Sequence, residues 1–199
     1  MKHVMSAKKK IVYARKNKQQ KERRIKMGFD VYGMNPVVRK GKKPEKPEGL
    51  YERKKKIDDK IVDEYYEKLW KFEEENVGAY FRNNVWWWRG LWDYVCDVCD
   101  DIISEDEWNE GHSNSGLTID EDRAKKISKR LNQLIKDGNA QSHIDLWEAR
   151  RKVAEKHNEG LKKGTSDSSY KWEDSYPMHI ENVQHFADFC ADSGGFQIC

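Results

Sequence analysis

Residues 78–103 read GAYFRNNVWWWRGLWDYVCDVCDDII and contain four of the eight tryptophans of the chain together with its only CxxC pair. On a helical projection, where successive side chains lie about 100° apart, the large apolar side chains of residues 91–103 gather on one side. Four carboxylates gather on the other side. The pattern predicts a core helix over residues 91–103 with a carboxylate ridge on its outer face, formed by Asp93, Asp97, Asp100 and Asp101.

The three consecutive tryptophans, Trp86, Trp87 and Trp88, cannot all face one core if they lie in a helix. At least one is expected near the surface, unless the helix begins after them. An exposed indole beside polar side chains would suit recognition of a partner, because it offers a flat surface surrounded by hydrogen-bond donors. The alternative is a tryptophan-rich lid on the core, with Asn83 or Asn84 as the helix N-cap. The candidate binding residues are Arg82, Asn83, Asn84, Trp86, Trp87 and Arg89.

The four cysteines are weak candidates for a metal site. Zinc sites built on CxxC usually need a second pair of ligands nearby. Here Cys96 and Cys99 fall within a predicted helix, and Cys190 and Cys199 follow far downstream. A redox CxxC would follow a strand and open a helix. We therefore predict structural thiols and no cofactor, and a four-cysteine zinc site is the alternative. Of the six histidines, only His112, in the loop after the central helix, is selected for a test.

The charge of the chain is unevenly distributed. Residues 1–26 contain eleven Lys or Arg and one Glu, a net charge of +10, so the rest of the chain carries −7 of the net +3. The first segment has too few large apolar residues to form a core, which predicts a basic extension that is disordered or forms a marginal helix. It would suit nucleic-acid binding through phosphate contacts; the alternatives are contact with an acidic surface and a dispensable extension. The candidate phosphate-binding residues are Lys8, Lys9, Lys10, Arg15, Arg23 and Arg24.

The remaining patterns predict one globular domain over residues 27–199. Alternating side chains predict strands at residues 28–33 and 196–198, which would pair with each other. Amphipathic periodicity predicts several helices. The fold class is therefore α+β and predominantly α-helical, with amphipathic helices packed around a tryptophan-rich central helix. A small sheet would pair the N-terminal and C-terminal strands. A Pro/Lys-rich loop is expected at residues 36–50 and a protruding charged helix at residues 141–163.

Several classes of protein are disfavoured by what the sequence lacks. No run of about 18 apolar residues is present, and the basic N-terminus has no apolar segment behind it, so neither a membrane span nor a secretory signal is predicted. Few cysteines fit a reducing compartment, which predicts a cytoplasmic protein. No phosphate loop and no hydrolase, metalloprotease or deaminase motif appears. The absence of these motifs favours a binding protein over an enzyme.

Four segments combine unusual residues: MGFDVYGMNP at 27–36, YFRNNVWWWRGLWDYVCDVCDDI at 80–102, NSGLTIDEDRAKKI at 114–127 and YKWEDSYPMHIENVQHFADFCADSGGFQIC at 170–199. They resemble a family of small tailed-bacteriophage proteins of uncharacterised function. The resemblance implies a phage protein in a host cytoplasm and supplies no activity. The family carries Pro where this chain has Gly90, which implies that the regular helix begins near Gly90. A cysteine-rich insert of some relatives has no counterpart here, so its metal is not carried over.

Three hypotheses for the function follow. The first is a non-enzymatic phage accessory protein that binds an unknown host or phage macromolecule through residues 82–89. The second is a nucleic-acid-binding protein that uses the basic residues 1–26. The third is an enzyme of unknown chemistry with a site near Arg82 and Arg89, which requires that Arg89, His112 and Asn114 share one concave pocket.

Overall fold

The computed structural model describes residues 28–52, 57–164, 169, 171 and 176–199. The predicted basic extension at residues 1–26, with its candidate phosphate-binding residues, lies outside this part of the chain. The elements follow the order β1 (Gly28–Gly33), α1 (Asp59–Glu75), β2 (Tyr80–Asn84), α2 (Val85–Val98), α3 (Glu105–Gly111), β3 (Thr118–Ile119), α4 (Glu121–Lys136), α5 (Asn139–Lys162), α6 (Ile180–Asp192) and β4 (Phe196–Ile198). A 3₁₀ turn at Val77–Ala79 separates α1 from β2. The predominantly helical α+β class is confirmed.

The four strands form one antiparallel sheet in the order β2-β1-β4-β3. Val31 of β1 pairs with Ile198 of β4, which confirms the predicted pairing of the two ends of the domain. Because side chains alternate along a strand, Phe29, Val31 and Phe81 point into the core. The outer face of β1 and β2 instead carries polar and tyrosine side chains.

The core forms between the sheet and helices α2, α4 and α6. Trp88 and Trp92 of α2 are fully buried and stack with a centroid distance of 5.4 Å and an interplanar angle of 11°. Trp88 also stacks on Phe29 of the sheet at 5.3 Å and meets the edge of Phe186 of α6 at 5.9 Å. The predicted tryptophan-rich central helix is therefore confirmed.

The bounds predicted for the central helix are wrong at both ends. The helix begins at Val85, before the three tryptophans, because the Asn84 side chain accepts hydrogen bonds from the backbone N–H groups of Trp86 and Trp87 at 3.0 and 3.1 Å. It ends at Val98 rather than at residue 103. The Arg130 side chain of α4 donates to the Val98 carbonyl at 3.0 Å and so satisfies one of the last carbonyl groups.

The two ends of the domain are joined by main-chain hydrogen bonds. Val37 N–H donates to the Asp192 carbonyl at 2.7 Å, and Asn35 N–H donates to the Ser193 carbonyl at 3.1 Å. The turn at Gly78 packs on the same place, because a Cβ at Gly78 would lie 2.1 Å from the Asp192 carbonyl oxygen. The end of α6, the chain after β1 and the turn before β2 thus meet at backbone distance.

Helix α5 covers residues 141–162 of the charged helix predicted at 141–163 and begins two residues earlier, at Asn139. It buries Ala140, Ile144 and Ala154. Near its end, the buried Asn158 accepts from Lys171 N–H at 2.9 Å and donates to the Lys171 carbonyl at 3.0 Å. Among the helices of the described residues, none combines 18 residues with the apolar character that a bilayer crossing requires.

An ion pair between α3 and α4 predicts that the folded protein loses stability in acid. The Arg123 guanidinium, which donates to Glu107 Oε1 at 2.8 Å, lowers the pKa of Glu107 to about 2. A carboxyl group with a lowered folded-state pKa stabilises the fold above its unfolded value, and this stabilisation is lost as the pH falls. We expect Glu107→Gln to lower the free energy of unfolding by about 1 kcal/mol at neutral pH. It should also reduce the loss of stability between pH 4.5 and pH 2.

Urea titrations of both proteins at several pH values measure this effect. Glu105→Gln is the matched control, because Glu105 lies in the same first turn of α3 and has no ion pair within the described residues. Equal pH dependence of the wild-type and Glu107→Gln proteins would contradict the assignment.

Candidate binding patch at the start of α2

The structure distributes the six predicted binding residues over different surroundings. Arg82 lies on the outer face of the sheet, where its Nε is 3.5 Å from Oδ1 of Asp30 on β1. Asn83 donates to Oδ1 of Asn182 on α6 at 3.0 Å. Asn84 is the N-cap of α2. Arg82 thus lies on the face of the sheet away from the core, because a strand directs alternate side chains to opposite faces. A patch that joins it to the tryptophans stays a prediction.

Three of the six residues contact two residues that the sequence did not indicate, Tyr176 and His179. The Trp86 ring lies 5.6 Å from the Tyr176 ring, and the Arg89 guanidinium carbon lies 5.8 Å from the centroid of the same tyrosine. The Trp87 ring lies 4.7 Å from the His179 ring. We call these five residues the Trp86 patch. Trp86 remains 46% exposed.

Contacts with buried or partly buried parts of α2 and α5 hold the Trp86 patch in place. Gly90 allows the chain at residues 176–177 to approach α2, because a Cβ there would lie 3.2 Å from the Pro177 carbonyl oxygen. The indole N–H of Trp147 on α5 donates to the Tyr176 carbonyl at 2.7 Å. Trp88, next in sequence to Trp87, is fully buried. The exposed rings are thus held in place before any partner binds, which lowers the entropy cost of binding.

The other tryptophans of this region hold α3 against α2. The indole N–H of Trp88 donates to the Gly111 carbonyl at 2.8 Å, and that of Trp92 donates to the Trp108 carbonyl at 3.0 Å. The indole N–H of Trp108 donates in turn to Oδ1 of Asp93 at 2.8 Å. Two tryptophans of the WWWRGLW segment, Trp88 and Trp92, therefore have structural roles.

His112, the one histidine selected from the sequence, contacts the same carboxylate. Its Nε2 lies 2.8 Å from Oδ1 of Asp93, and its ring meets the Trp108 ring edge-on at 5.3 Å. Its Nδ1 is buried and has no hydrogen-bond partner among the described residues. A catalytic His–Asp pair activates a hydroxyl or thiol at the second ring nitrogen. The described residues place no such group within hydrogen-bond distance of Nδ1.

The three groups required by the enzyme hypothesis contact different neighbours. Arg89 lies against Tyr176, and His112 contacts Asp93. The Asn114 side chain donates to the Gly28 carbonyl at 3.1 Å, and its backbone adopts a positive φ of 48°. Each group already has a separate role in local structure, so these contacts do not support the enzyme hypothesis.

The cysteines occupy the core and the end of the sheet. Cys96, Cys99 and Cys190 are buried, and burial raises the pKa of each thiol, to about 12 for Cys99. Cys199 is exposed, and its backbone pairs with that of Asp30 on β1. In the described part of the chain, no three His, Cys, Asp or Glu side chains are grouped so that they could hold a metal ion.

No protein-family model, curated protein or solved structure matches the chain. The resemblance to tailed-phage proteins therefore stays a prediction from the sequence.

Proposed function

We propose that the chain is a non-enzymatic binding protein that captures a protein partner through the Trp86 patch. The observation that supports this most directly is the exposed Trp86 ring, which lies against Tyr176 on the first turn of a helix whose other side is core. The resemblance to phage proteins suggests a partner from the phage or its host, and an action in the host cytoplasm.

The chemistry of the patch favours a protein over a nucleic acid. Tryptophan, tyrosine and arginine are the residues that most often carry the binding energy of protein interfaces. The single arginine of the patch, Arg89, already lies over the Tyr176 ring, where a cation–π contact stabilises it. The chain from Met27 onward carries a net charge of −7, which would repel a phosphate backbone.

The test is affinity capture with the tagged chain of residues 1–199. It uses lysates of the cells that produce the protein, with and without nuclease. The double variant Trp86→Ala/Arg89→Ala is expected to lose about 30-fold or more in affinity for the captured protein, since each side chain is of the kind that costs about 2 kcal/mol when truncated at an interface. Its circular dichroism should match that of the wild type, because Trp86 is largely outside the core.

The matched control is Leu146→Ala, which removes an exposed apolar side chain from α5 and should leave capture unchanged. Three outcomes would contradict the proposal: capture that survives the double variant, capture that nuclease abolishes, and the absence of any captured protein. The second of these would favour the nucleic-acid hypothesis, in which the basic residues 1–26 make the contacts.

A further inference from the structure

A recess lies on the opposite side of the sheet from the core. It is a cavity of about 380 Å³ between α1 and the outer face of β1 and β2. This volume falls in the range of small-molecule sites, about 300–1,000 Å³. Five of the nine tyrosines of the chain line it. They come from four separate parts of the fold: Tyr32 from β1, Tyr51 from the loop before α1, Tyr65 and Tyr66 from α1, and Tyr80 from β2. We call this cavity the tyrosine pocket.

The tyrosine pocket explains why α1 packs so loosely. Its apolar periodicity predicts a buried face, yet Phe72 is the only residue of the helix that is buried, and Ile61 is 50% exposed. Tyr65, Tyr66 and Leu69 are half-buried because they face the cavity rather than the sheet directly. The helix thus forms one wall of a recess, and the sheet forms the other.

The floor of the tyrosine pocket is a preformed polar group. Asp30 and Arg82 are directly opposite each other in the β1–β2 register, with Nε and Oδ1 3.5 Å apart. The Tyr80 hydroxyl also donates to Asp30, and burial together with this hydrogen bond raises the pKa of Tyr80 well above its ordinary value. A carboxylate acceptor, a guanidinium donor and a phenol therefore lie side by side.

The loop wall is fixed by a buried asparagine. The Asn76 side chain accepts from the N–H groups of Arg39 and Lys40 at 2.7 and 3.1 Å and donates to the Lys40 carbonyl at 2.8 Å. These bonds hold the loop that carries Lys43 to the rim of the pocket. Further along, Lys46 lies over the Tyr51 ring at 4.2 Å.

The lining of the tyrosine pocket carries charges of both signs. A cation would meet Arg82 and Lys43, and an anion would meet Asp30 and Glu73, so neither sign is favoured. The rings are also tilted rather than parallel: Tyr32 and Tyr80 meet at 40° and Tyr65 and Tyr66 at 60°. Tilted rings form a curved surface, which suits a puckered ligand ring. A flat ligand ring would fit better between parallel rings.

From this combination we propose that the tyrosine pocket binds a neutral saccharide. The C–H faces of the sugar ring would pack on the tyrosine rings, which are apolar on their faces and polar at their tips. Adjacent sugar hydroxyls, each a donor and an acceptor, would hydrogen-bond to Asp30 and Arg82 on the floor. The proposal is independent of the protein partner of the Trp86 patch, which lies elsewhere in the fold.

The test is saturation-transfer NMR and calorimetric titration of the full chain. The probes are the methyl glycosides of glucose, galactose, mannose and N-acetylglucosamine, and disaccharides of the same sugars. At least one probe is expected to bind. Tyr51→Ala and Tyr32→Ala should each weaken its binding about two- to tenfold, as expected when one aromatic contact is lost. Both side chains are well exposed, at 68% and 44%, so both variants should fold.

The control variant is Trp86→Ala, which removes an exposed aromatic ring from the other site and should leave saccharide binding unchanged. Two further ligands test the alternatives: uridine represents a flat ring, and tetramethylammonium represents a cation. The proposal is overturned if no saccharide binds, if uridine or tetramethylammonium binds and the sugars do not, or if neither tyrosine variant weakens binding. None of these results bears on capture of a protein by the Trp86 patch.

Discussion

Gly78→Ala is expected to destabilise the folded protein by about 3 kcal/mol or more, at the upper end of the cost of inserting atoms into a packed region. The added Cβ would lie 2.1 Å from the Asp192 carbonyl oxygen and 2.7 Å from the Ser193 nitrogen. Both are backbone atoms, and they cannot move aside as a side chain can. Relief would require the turn to separate from the end of α6, where Asn35 and Val37 make their main-chain hydrogen bonds.

The matched control for this prediction is Gly138→Ala. It measures the cost of an unfavourable backbone conformation at a position where the added Cβ has enough space. Gly138 has a φ of +76°, and no atom lies within 4 Å of a Cβ built there. Its replacement should therefore cost only about 1–2 kcal/mol, the penalty for a left-handed conformation. Urea denaturation followed by far-ultraviolet circular dichroism measures both values. A Gly78→Ala protein no less stable than Gly138→Ala would show that the two backbones are not in close contact.

The parts of the fold that the sequence predicted are those set by local periodicity and capping. Alternation in MGFDVYG and FQIC indicated β1 and β4, and Asn84 was one of the two residues considered as N-cap before the tryptophans. The short β2 was missed, because YFRNN runs directly into the tryptophans and has no turn between strand and helix. The end of α2 was also missed, since it depends on Arg130, which is 32 residues away.

The candidate sites depend on contacts between distant segments, which a sequence pattern does not contain. Tyr176 joins Arg89 because the chain passes close over Gly90. The apolar periodicity of α1 indicates that one face is apolar, but it does not show whether a sheet or a cavity covers that face. The five tyrosines of the tyrosine pocket are spread over residues 32–80, and they meet because β1 and β2 pair and because α1 lies over the outer face of these strands.

Trp92→Ala is expected to lower the free energy of unfolding by about 3–5 kcal/mol, as for other large aromatic residues removed from a core. Trp92 is fully buried, stacks on Trp88 and donates to the Trp108 carbonyl. Trp86→Ala, in the same helix, should change it by only about 0.5 kcal/mol, because Trp86 is half exposed. Urea denaturation followed by circular dichroism is the suitable measurement, since it does not rely on tryptophan fluorescence.

Trp92→Phe separates the two contributions of this side chain. Phenylalanine keeps an aromatic ring against Trp88 but leaves the Trp108 carbonyl without its donor, which should cost about 1–3 kcal/mol. Equal destabilisation by Trp86→Ala and Trp92→Ala would mean that the exposed ring is part of the core and is not available to a partner. A large difference would show that the tryptophans of α2 serve two purposes, because side chains about 100° apart around one helix face either the core or the surface.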